Sequence, residues 1–112
     1  MKQYTVSIQM GLNTTFEFEA AALGCEAEDA LALGRVDDNG NHMTTKGFLF
    51  INFGTSKISF SYDIFYLDLD IMQKKEVDGN YHIKCANDLF RADVYVCDND
   101  KWDEEGEGIF IS

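Results

Sequence analysis

The sequence predicts an α+β domain: mainly antiparallel β, with about seven to eight strands in a curled sheet or small open barrel, and one short helix after an N-terminal hairpin. Three observations lead there. Apolar and polar residues alternate with a period of two over most of the chain, as in half-buried strands. Turn residues separate these runs at short spacing. One Ala/Leu-rich stretch follows a helical stripe instead. At 112 residues the chain forms a single domain, 1–112, able to bury a core without disulfide or metal staples.

Tyr4, Val6, Ile8 and Met10 alternate with Thr5, Ser7 and Gln9, and Phe16 and Phe18 alternate with Glu17 and Glu19 across a Gly11-Leu12-Asn13-Thr14 turn. This predicts a hairpin. Leu23, Ala27, Ala30 and Leu31 then share one helical face. Glu26, Glu28 and Asp29 stand where the helix dipole favours anions, and Gly34 and Arg35 suit a C-terminus. A short helix over 26–33 is expected. Residues 36–45 read as the longest loop, and the continuous apolar run 47–53 as an interior strand.

The stretch 58–71, ISFSYDIFYLDLDI, alternates twice with its phase slipped between Ile64 and Phe65. A β-bulge or sheet corner there would keep both apolar sets on one core. Residues 73–76 continue as polar strand or connector. Asp78-Gly79-Asn80 predicts a turn, after which Tyr81, Ile83 and Cys85 oppose His82 and Lys84. Phe90, Ala92, Val94 and Val96 form another strand. Ile109-Phe110-Ile111 reads as a last short one.

Twenty acidic residues against nine basic ones give a net charge of −11. That exceeds what solubility needs, disfavours nucleic-acid backbone or an anionic membrane, and favours a cationic partner. Cys25, Cys85 and Cys97 are an odd set without tight pairing, as expected of reduced thiols in a cytoplasmic protein, although a Cys85–Cys97 bridge is possible if their strands are neighbours. The opening MKQYTVSIQM has no apolar signal core.

The acidic face of 66–70 places Tyr66 beside Asp68 and Asp70. A denser acidic segment follows Cys97: Asp98, Asp100, Trp102, Asp103, Glu104 and Glu105. Its plain alternative is a solvated loop. An EF-hand reading fails because Trp102 takes a ligand position and Asp103 the glycine position; in 37–42, His42 takes the glycine position. Carboxylates at i and i+2 of a strand lie ~6.7 Å apart. Two nucleotides rise ~6.8 Å, so a rigid acidic face could imitate phosphates. Glu17 and Glu19 share that spacing.

His82 and Cys85 form an H-x-x-C pair, but strand spacing sets them on opposite faces, and zinc needs about four ligands. Cys25 with His42 is conceivable as a nucleophile and base only if the fold joins them. No phosphate- or dinucleotide-binding glycine motif occurs. The expectation is a non-enzyme without metal or cofactor.

In size, acidity and β-rich make-up the chain resembles small intracellular inhibitors: anti-CRISPR and anti-restriction proteins, and immunity proteins against nuclease toxins. The resemblance implies a DNA-mimic-like inhibitor of a basic, nucleic-acid-handling protein such as a nuclease or CRISPR effector subunit. It implies no direct nucleic-acid or membrane contact, and a monomer or homodimer. The resemblance carries no site residues; the acidic and aromatic pattern itself points to Tyr66, Asp68, Asp70, Asp98, Asp100, Trp102, Asp103, Glu104 and Glu105 as the binding residues. Two rival expectations stand beside it. A phage structural or assembly protein should oligomerise. A small metal- or ligand-binding enzyme should show a pocket around His42 or His82.

Overall fold

The computed structural model describes residues 3–11, 13–23, 29–43 and 46–99. They form eight strands: β1 (Gln3–Met10), β2 (Thr14–Leu23), β3 (Ala30–Arg35), β4 (Phe48–Asn52), β5 (Lys57–Tyr62), β6 (Phe65–Val77), β7 (Asn80–Ala86) and β8 (Arg91–Asp98). Each pairs antiparallel with the next, and β8 returns to β1, closing an up-and-down barrel. Closure is built on matched inward residues: Val6 lies opposite Phe18 on one side and Val96 on the other. Every strand then has two neighbours, although β7 pairs β6 only from Asp70 onward and β3 pairs β2 only from Ala20 to Leu23.

The inward set is a single apolar cluster that includes Ile8, Leu33, Leu49, Ile51, Ile58, Phe60, Ile83 and Val94. An interior of this strand number is just wide enough for side chains to fill. At one end Phe16 plugs it, its ring centroid 5.2 Å from both Phe60 and Tyr62 and 5.4 Å from Phe65. Arg35 carries its guanidinium 5.8 Å from the Tyr62 ring centroid at that end. Phe53 stacks on Tyr81 at the other, with centroids 5.3 Å apart. Charged residues such as Glu17, Asp68 and Lys84 sit outside, the reverse of a lipid-facing barrel. Among the described residues no helix is long and apolar enough to cross a membrane.

Two expectations are corrected. The α+β class with a helix over 26–33 gives way to an all-β closed barrel with no helix among the described residues; 26–28 lie outside them, and the rest of that span from Ala30 is strand. Ala30–Arg35 is β3, paired with β2 from Leu23 to Ala20 and with β4 from Asn52 to Phe48. The helix preference of Ala and Leu is worth less than about 1 kcal/mol per residue, and it yields to two hydrogen-bonded ladders and the burial of Leu33. The barrel is also closed rather than open.

The phase slip at 64/65 is a two-residue turn, Asp63-Ile64, with Tyr62 paired directly to Phe65. Two turn residues between paired inward residues shift the alternation by one, which is the slip seen in the sequence. The β-bulge lies later, at Met72, between Ile71 opposite Cys85 and Gln73 opposite Lys84. Asp78 (φ 51°) and Gly79 (φ 84°) make the next turn. Positive φ at both positions matches the right-handed twist of the flanking strands. The short strand expected at 109–111 lies outside the described residues.

Candidate functional site

The outer face of β4, β5 and β6 is unusual in composition. In β4, Leu49 and Ile51 point inward at 0% exposure, so Phe48 and Phe50 must point outward, where they are half-buried. The reading of 47–53 as an interior strand therefore holds for one side only. Phe50 stands opposite Ala32 of β3 and Ser59 of β5, and Phe48 opposite Gly34 and Ser61. Ser59 and Ser61 in turn face Asp68 and Tyr66 of β6.

The result is a shallow trough along β5. Its floor is Ser59 and Ser61; one wall is Phe48 and Phe50, the other Tyr66 and Asp68. The walls are two strand spacings apart, ~9.6 Å between backbones. An ion pair stands at each end: Lys57 with Asp70, and Lys46 with Asp63 at 3.2 Å.

Tyr66 is 60% exposed. Its hydroxyl donates to Asp68 Oδ1 at 2.8 Å, and the Ser59 hydroxyl donates to the same oxygen at 2.6 Å. Those two bonds, Ser59 first, hold the Asp68 carboxyl below its ordinary range, with a smaller contribution from nearby Lys57. Asp68 is thus an ionised carboxylate of fixed orientation.

Tyr66, Asp68 and Asp70 are brought together as expected. Asp98 is not with them: it is buried at 2% exposure opposite Tyr4, and its backbone N–H donates to Asn80 Oδ1 at 2.6 Å. Asp100, Trp102, Asp103, Glu104 and Glu105 lie outside the described residues, as does Cys25. Glu17 and Glu19 project from β2, four strands from β6 in the closed order of eight, and so face the opposite side of the molecule.

Other polar groups serve the fold. Asp37 accepts the backbone N–H groups of Asn39 and Asn41, each at 2.9 Å, which ties its loop and lowers its pKa, the Asn41 bond most of all. His82 Nε2 lies 3.0 Å from Asp93 Oδ1, and its ring stacks on Tyr95 at 4.3 Å and 15°. Cys85 points inward and is free, as is Cys97. Among the described residues no three His, Cys, Asp or Glu side chains converge as metal ligands. Cavities of about 610 and 390 Å³ open beside Lys84 and Asp93 and beside Phe16 and Phe65; neither histidine lines either.

Sequence reasoning missed Phe48 and Phe50. The small residues Ala32, Gly34, Ser59 and Ser61 beside them were a signal, but only once strand register was known. Fold and site together define a small closed β-barrel with an aromatic, acidic outer trough. Compared with protein-family models, curated proteins and solved structures, the chain matches none.

Proposed function

We propose that this protein is a non-enzymatic binding module of the cytoplasm. It docks the outer face of β4–β6 onto a positively charged, nucleic-acid-handling protein and blocks that partner's groove. One observation carries the reading: Phe48, Phe50 and Tyr66 stand on the outside of a closed barrel beside a fixed, ionised Asp68. Aromatic side chains on a surface are typical interface anchors. A charge of −11 accelerates encounter with a cationic surface and rejects anionic ones. The lysines already on Asp70 and Asp63 are exposed, and such pairs contribute only about 0–1 kcal/mol, so a partner's cations can replace them. Because β2 and β6 face apart, the phosphate-like spacing works on one side at a time.

The test is affinity capture from nuclease-treated lysate at low and high salt. Wild type is run beside a Phe50→Ser/Tyr66→Ser variant and a Glu17→Gln/Glu19→Gln variant. A basic protein retained by the first and third but lost by the second is expected. Retention by all three alike would overturn the assignment of this face.

A further inference from the structure

We infer that the trough along β5 selects arginine: it takes an extended, arginine-bearing segment of the partner, with a guanidinium laid against the Tyr66 ring and bonded to Asp68. This rests on the cationic-partner reading above and narrows it.

The carboxylate is prepared for such a bond. Both hydroxyl donors use Oδ1, so among the described residues Oδ2 keeps its acceptor capacity. The Tyr66 hydroxyl is tethered to the same carboxylate, which keeps a largely exposed aromatic ring beside that acceptor. A planar guanidinium can stack on an aromatic face and donate N–H bonds in its own plane at once; an ammonium is a hydrated point charge and cannot do both equally well. The opposite wall, Phe48 and Phe50, offers apolar surface to the aliphatic stem, while the serine floor leaves room for it.

The closed barrel also determines how the segment binds. Strand β5 is paired on both sides, to β4 and β6, so no backbone edge is open for strand addition. The segment must lie on top of the sheet and be read through side chains. That places the selectivity in Tyr66 and Asp68 rather than in main-chain bonds.

Two ten-residue peptides, identical except that arginines in one are lysines in the other, would be titrated into the full chain. Backbone amide NMR shifts would report both affinity and location. The arginine peptide should bind about threefold tighter, as one stacking and charge-assisted contact at an exposed site implies, with shifts centred on β4–β6. Asp68→Asn, or separately Tyr66→Leu, should abolish the preference. Equal affinity of the two peptides on this face would overturn arginine selection and leave cationic docking standing. Shifts centred on Glu17 and Glu19, or no binding of either peptide, would overturn both. The wild-type comparison needs no variant to fold.

Discussion

Two outer faces of this barrel are built from similar residues and end in different states. On β7 and β8, Tyr95 faces outward yet is buried; His82 stacks on it and meets Asp93, and the neighbouring Cys97 is buried too. On β4–β6, Tyr66 faces outward and stays exposed, joined to Asp68 through its hydroxyl alone. Each face carries an aromatic ring, a carboxylate and a cross-strand partner. On the first they satisfy one another by stacking, which serves stability. On the second the Tyr66 side chain stays largely exposed, and among the described residues both donors to Asp68 use one of its two oxygens. An outward aromatic residue therefore indicates a binding surface only when the neighbouring strands do not already cover it.

The largest effect that would test this contrast is on stability. Tyr95→Ala should lower unfolding free energy by about 2–4 kcal/mol, since it empties a buried site and ends the His82 stack. Tyr66→Ala should stay within about 0.5–1 kcal/mol, as for exposed positions. Urea denaturation measures both, and equal losses would erase the distinction.

Alkaline pH probes the buried groups next. Burial pushes the Cys85 thiol up to about 12 and Cys97 to about 11, from an ordinary 9.0. Burial, with bonding to Glu76, raises Tyr81 to about 12 from 10.0. A pKa raised by folding adds stability that is complete below the ordinary value and is lost as pH climbs through the folded one. Stability should thus be insensitive to these groups below pH 9 and decline from there toward 12. Each contributes a slope of at most about 1.4 kcal/mol per pH unit, over a narrower window for Cys97, whose pKa is raised less than that of Cys85. Stability that rises over this window would contradict the burial of these groups. At pH 8 both thiols should react with a disulfide reagent far more slowly in the folded chain than in urea.

The smallest effect lies in the trough itself. Tyr66→Phe removes one hydroxyl from Asp68 and should move that carboxyl's pKa upward toward its ordinary value, with the fold unchanged. A carbon-detected NMR titration reads it. No movement would show that the Tyr66 hydroxyl does not help to orient the carboxylate.

Much of this was legible in the residues themselves. Val6, Ile8, Phe18, Ile83 and Val94 face inward as their alternation requires, and Asp78-Gly79 turns where its chemistry points. Tyr66, Asp68 and Asp70 share a face because side chains two apart on a strand must. Period and turn chemistry are local properties, decided within a few residues of chain.

The rest was settled only by pairing between distant strands. The Ala30–Arg35 stretch carries helix-forming residues and becomes β3 because β2 and β4 supply ladders on both sides. Phe48 and Phe50 are indistinguishable in the run from Leu49 and Ile51, and only strand register sets Ser59 and Ser61 beside them. Closure of β8 on β1 sends Glu17 and Asp68 to opposite sides, although their spacings in the chain look alike. A sequence records which way a residue faces relative to its neighbours in the chain. Which residues it meets across the sheet is set by the long-range pairing that closes the barrel.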